Sequence, residues 1–76
     1  MSKLIYVSSS DGDWCGVYLD GLLSTEGHSI HTDDWLYYLK LGSVESTDSF
    51  EVDGEWVGEK GGFPKNFSDI PNDKFE

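Results

Sequence analysis

Side chains able to do chemistry are few in this 76-residue sequence, and two short stretches hold most of them. Asp11-Gly-Asp-Trp-Cys-Gly16 places acids at the first and third positions and glycine at the sixth, as a calcium-binding loop does. Its fifth position is Cys15 and its twelfth is Leu22, where a bidentate glutamate is needed, so a turn rich in Asp and Gly is the simpler reading. His28 and His31, close to Asp33 and Asp34, offer nitrogen and oxygen donors of the kind that zinc takes. A small metal-binding protein using His28, His31 and nearby acids is therefore one alternative, although cap-region hydrogen bonds employ the same residue types.

Other catalytic arrangements are weaker. Cys15 could pair with a histidine as a nucleophile, but nothing local marks an activated thiolate or an oxyanion site. As the only cysteine it forms no internal disulfide and no multi-cysteine zinc site, and it is expected as a small buried side chain in a reducing compartment. Adjacent carboxylates such as Asp33 and Asp34 lack the enclosed cleft that would set their pKa values apart. Gly58-Glu-Lys-Gly-Gly62 has neither the spacing nor the following helix of a phosphate-binding loop. The expectation is a non-enzyme with no catalytic residue, no cofactor and no committed metal site.

Charge is the stronger signal. Fifteen Asp and Glu face five Lys and no Arg, for a formal net charge of −10. Between residues 11 and 59 stand twelve acids and only Lys40 as a base. Direct binding to nucleic acid or to an anionic membrane is disfavoured, and the absence of Arg removes the usual bidentate clamp for phosphate. A protein partner with a basic surface is the expected counterpart, a nucleic-acid-binding enzyme being the narrower case. The candidate partner-binding residues are Glu45, Asp48, Glu51, Asp53, Glu55, Trp56 and Glu59, carboxylates interleaved with large apolar side chains. On a strand, alternate residues stand ~6.6 Å apart on one face, close to two steps of the ~3.4 Å charge spacing along a DNA strand, so such a run could imitate a phosphate track.

The elements that must carry these residues follow from pattern. Lys3 to Val7 is β-prone and runs into the loop chemistry of Ser8-Ser-Ser-Asp-Gly-Asp13. Trp14 to Asp20 and Leu22 to Glu26 flank Asp20-Gly21, the pair favoured in a type I′ turn, so a hairpin is expected with Leu19 facing Leu22 and Tyr18 facing Leu23. Thr32-Asp33-Asp34-Trp35 resembles a capped helix start, and the helix should run from about Asp33 to Leu41. Trp35, Leu36 and Leu39, with Tyr38 or Ile30 beside them, form its expected core stripe, and Gly42 its left-handed stop.

Ser43 to Ser49 is polar, and Phe50 to Val57 alternates around Asp53-Gly54, which predicts a second hairpin. Glycines and prolines make the segment from about residue 60 irregular, with Phe63, Phe67, Ile70 and Phe75 as anchors that fold back onto the sheet. The expected fold is α+β: one domain over residues 1–76, with an antiparallel sheet of about four or five strands, two hairpins and one helix packed on it. No signal-peptide succession opens the sequence and no apolar run approaches the ~20 residues that span a bilayer, so a cytoplasmic location is expected.

Asp13-Trp14-Cys15-Gly16-Val17-Tyr18-Leu19-Asp20-Gly21 followed by Glu26-Gly27-His28-Ser29-Ile30 resembles a pattern found in small uncharacterised bacterial and phage-associated proteins. The resemblance covers roughly residues 13 to 67 and implies the same order of elements but no activity. In being short, acidic and cytosolic, the chain also resembles as a class the phage and mobile-element inhibitors of restriction or CRISPR enzymes. That likeness implies a DNA-mimic inhibitor. A self-associating structural subunit, burying exposed Trp and Phe, is the remaining alternative.

Overall fold

The computed structural model describes residues 2–41 and 44–76. In chain order the elements are β1 (Ser2–Ser9), β2 (Cys15–Leu19), β3 (Leu22–Gly27), α1 (Thr32–Leu41), β4 (Val44–Val52) and α2 (Gly54–Lys60), followed by single 3-10 turns at Phe67–Asp69 and Asn72–Lys74. The strands form one sheet in the order β3-β2-β1-β4. The class is α+β, as expected, but the sheet is mixed: β1 pairs antiparallel with β2 and parallel with β4.

The β2–β3 hairpin closes through Asp20 and Gly21, both at positive φ (53° and 86°), with Leu19 opposite Leu22 and Tyr18 opposite Leu23. These are the two left-handed residues that a two-residue turn between twisted strands demands. Ser24 is then looped out, because Val17 pairs with Thr25. The β1–β2 connection is held by Ser9, whose hydroxyl accepts from Trp14 N–H at 3.0 Å while its N–H donates to the Trp14 carbonyl at 2.8 Å.

The second hairpin is not formed. Residues from Val44 to Val52 make a nine-residue strand that lies alongside β1, and the chain then turns into a helix. Asp53 holds negative φ (−53°) and caps α2, its carboxylate accepting from Glu55 N–H at 3.2 Å. Asp before Gly serves a helix start as well as a turn, since in both the short carboxylate accepts from a nearby N–H. Gly54 decides between them: its N–H donates to Ser10 Oγ at 2.9 Å, and a Cβ there would come within 2.6 Å of the Asp11 carboxylate. α2 ends at Gly61 in the left-handed conformation (φ 76°), whose N–H reaches back to the Gly58 carbonyl.

α1 begins at Thr32, with the His31 carbonyl taking the first bonds from Asp34 and Trp35 N–H. Gly42, the expected stop, lies outside the described residues.

Side chains alternate across the sheet, giving two faces with separate cores. On the first, Ile5, Val7, Tyr18 and Val52 are buried with Val57 of α2 and with Phe63 and Ile70 of the C-terminal segment. Phe67 meets Tyr18, Phe50 and Phe75 at ring-centroid distances of 5.4–5.7 Å. The expected anchors Phe63, Phe67, Ile70 and Phe75 all pack here. Phe63 lies so close over Gly16 that a Cβ at that position would stand 2.9 Å from its ring.

The segment straps this face from edge to edge. It is tied to β3 by Leu23 N–H to the Lys65 carbonyl, to the turn before β3 by Phe67 N–H to the Gly21 carbonyl, and to β4 by the Val52–Phe75 bridge. On the second face Leu4 and Val17 are buried under Tyr38 of α1, with Tyr6, Trp35, Ile30 and Val44 partly buried around them.

Candidate functional site

The expected partner-binding residues are divided among three elements by the replacement of the hairpin. Glu45, Asp48 and Glu51 lie on β4, Asp53 is the α2 cap, and Glu55, Trp56 and Glu59 lie on α2. Glu45, Asp48, Glu51, Glu55 and Glu59 are exposed. Their spacing on β4 is three residues, so they do not form a single-face track: Asp48 pairs with Ile5 on the α2 side of the sheet and Glu51 with Ser8 on the α1 side, while Glu45 sits at the register shift. Trp56, one of the expected partner-binding residues, is half-buried against the core of the α2 face.

Among the described residues, no lysine forms an ion pair with these acids. The one ion pair among the described residues joins His28 Nδ1 to Asp13 Oδ1 at 3.6 Å, with both side chains largely in solvent. On an acidic chain this leaves the carboxylates of β4 and α2 hydrated and available to a cationic surface.

The loop after β1 and the end of β3 meet α2 around a cavity of about 210 Å³, lined by Asp11, Asp13, Trp14 and His28 on one side and Gly54, Val57 and Gly58 on the other. Ser9 Oγ donates to Asp11 at 2.5 Å and Asp13 N–H at 3.1 Å, and these two bonds, the hydroxyl first, lower the Asp11 pKa from its ordinary value. Glu26 Oε1 accepts from Trp14 Nε1 at 2.9 Å and from Phe63 N–H at 3.0 Å, pinning the start of the strap. His28 takes part through the Asp13 carbonyl, 3.0 Å from Nδ1, and stacks edge-on against Trp14.

Among the described residues, no three His, Cys, Asp or Glu side chains are grouped to hold a metal ion. His28 and His31 therefore do not converge with Asp33 and Asp34 into a ligand set. Cys15 is buried, as expected, with its thiol 3.5 Å from the Gly27 carbonyl.

Sequence reasoning missed the apolar side of α1. Leu36 and Leu39, expected in the core stripe, are 50% and 74% exposed, and Tyr37 is 56% exposed. Among the described side chains of this helix only Tyr38 is buried, and its hydroxyl donates to Ser24 Oγ at 2.7 Å. Leu39 lines, with Leu4, Trp35, Tyr38, Val44 and Thr47, an open groove of about 480 Å³ between α1 and β4. The clue available in the sequence was the number of apolar residues in α1, more than a single stripe of a ten-residue helix needs. No helix of the described residues is long and apolar enough to cross a membrane. No family model, no curated protein and no solved structure matches the chain, so its surface alone carries the functional reading.

Proposed function

We propose that this protein is a non-catalytic, cytoplasmic binding domain whose partner presents a basic protein surface. The observation that carries this is the unneutralised charge: −10 over 76 residues, with five exposed carboxylates on β4 and α2 and no lysine paired to an acid among the described residues. Like charges held together on so small a domain repel one another, and a Lys/Arg-lined surface relieves that repulsion while steering association. Apolar contact is supplied by the exposed flank of α1 in place of Trp56.

The narrower form of this reading is an inhibitor that competes with nucleic acid for an enzyme, as expected for the anti-CRISPR or anti-restriction class. Its basis is the charge and not a regular phosphate-like track.

The test is capture from bacterial lysate, comparing the natural chain with a version in which Glu45, Asp48, Glu51, Glu55 and Glu59 are changed to Gln or Asn. Both proteins are first checked for unchanged circular dichroism. The natural chain should enrich a basic protein that is lost with the neutralised version and released by about 0.5 M salt. Displacement of that protein by DNA supports the nucleic-acid-competing form. Equal capture by both chains contradicts the charge-based reading.

A further inference from the structure

β4 ends the sheet, and the hydrogen bonds at its upper end fix which backbone groups face outward. The Val52 carbonyl points inward, accepting from Ser10 N–H at 2.7 Å. Asp53 N–H and the Glu51 carbonyl point outward, to the Lys74 carbonyl and Glu76 N–H, each at 2.8 Å. Because the two directions alternate along a strand, Thr47 and Ser49 also aim N–H and C=O outward. The Asp48 carboxylate accepts from Ser49 N–H at 3.0 Å, in keeping with that direction. The strap covers the outer edge only near Glu51 and Val52, and among the described residues no strand lies beyond Thr47 and Ser49. Above this open stretch stands the flank of α1: Leu39 shares the groove with Val44 and Thr47, and half-buried Trp35 lies beside Thr47 and Ser49.

We propose that this edge accepts a strand from the basic partner: an extended segment, apolar on one side and basic on the other, pairs with β4 at Thr47 and Ser49 and slides its apolar side chains beneath Trp35 and Leu39. The inference rests on the partner-binding reading above and gives it a geometry. Unpaired edge groups supply the main-chain bonds of strand addition, and the period of two sends alternate side chains of the incoming segment to the α1 side. Charge selects the occupant. Glu45, Asp48 and Glu51 oppose pairing with a second copy of the same acidic edge, and Asp48, on the side of the sheet away from α1, favours Lys or Arg on the basic side of the segment. A cation drawn to Asp48 also frees Ser49 N–H for the added strand.

The test uses the full chain and three synthetic probes: acetyl-(Lys-Val)4-amide, the same peptide N-methylated at alternate residues, and acetyl-(Glu-Val)4-amide. Binding is read by titration and by residue-resolved amide exchange. The unmodified Lys-Val peptide should bind and slow exchange of the Thr47 amide, while the other two bind at least ~10-fold more weakly. Thr47→Pro, which removes an outward N–H that the sheet does not use, should weaken the peptide by a similar factor. If that variant fails to fold, Leu39→Lys reads the same site from the α1 side and should also weaken binding.

Equal binding of the two Lys peptides, no binding of either, or unchanged Thr47 exchange overturns strand addition. Any of these leaves the partner-binding reading standing, since that reading fails only when neutralising the carboxylates leaves capture unchanged.

Discussion

On one face of the sheet, Ile5, Val7, Tyr18 and Val52 lie under α2 and a C-terminal strap that reaches from the β3 edge to the β4 edge; on the other, Leu4 and Val17 lie under α1, whose contribution to that core among the described side chains is centred on Tyr38. The strapped face carries a continuous set of rings in contact, Tyr18, Phe50, Phe67 and Phe75. The α1 face keeps Leu36, Tyr37 and Leu39 in solvent beside an open groove. With each fully buried large apolar side chain contributing about 1.5–3 kcal/mol, most of the stability resides on the strapped face. The α1 side, next to the acidic edge strand, keeps apolar surface exposed.

Substitutions on the two faces should therefore differ in size and in kind. Phe63→Ala removes a 7%-exposed ring that sits on Gly16 and Leu23, and should lower unfolding free energy by about 3–4 kcal/mol in a denaturant titration. A loss below about 1 kcal/mol would erase the distinction between the faces. Tyr38→Ala takes away the buried side chain of α1 that bonds to Ser24, and should cost less, roughly 2 kcal/mol, by a local route. Amide exchange should show α1 losing protection while β1 and β2 keep theirs; a uniform loss across the sheet would mean that the two faces unfold as one unit.

Smaller effects sharpen the contrast. Leu36→Lys and Leu39→Lys should each change stability by no more than about 0.5 kcal/mol, because both side chains are already in solvent. On the strapped face, Tyr18 is fully buried with its hydroxyl donating to the Pro64 carbonyl at 2.5 Å, and burial, followed by the Glu26 and Asp69 charges, raises its pKa above the ordinary value of 10.0. The unfolded chain then surrenders this proton first. Stability is accordingly full below pH 10 and declines as pH rises beyond it, and Tyr18→Phe should flatten that decline.

Local chemistry made part of this organisation readable from sequence. Asp20-Gly21 specified its turn and the opposition of Leu19 with Leu22, and the spaced Phe63, Phe67, Ile70 and Phe75 announced a segment that returns to the sheet. β4 was not readable because an edge strand solvated over most of its length needs no apolar alternation, and of its nine residues only Val52 is buried. Asp53-Gly54 misled for a different reason: the pair suits a turn and a helix start equally, and contacts with Ser10 and Asp11, more than forty residues away, select the helix. For Leu36 and Leu39, helical periodicity located the apolar stripe but could not tell how much of it the sheet below would cover. The candidate acids were legible as charge but not as geometry, since their placement depends on β4 and α2.

Mapping the captured basic partner onto the isotope-labelled protein by chemical-shift perturbation addresses the central claim most directly. Perturbations should concentrate on residues 45–51 of β4 and on Trp35 and Leu39, leaving the strap from Phe63 to Phe75 undisturbed. Perturbations centred on the strap, or on the Asp11, Asp13 and His28 cavity with β4 unchanged, would contradict it.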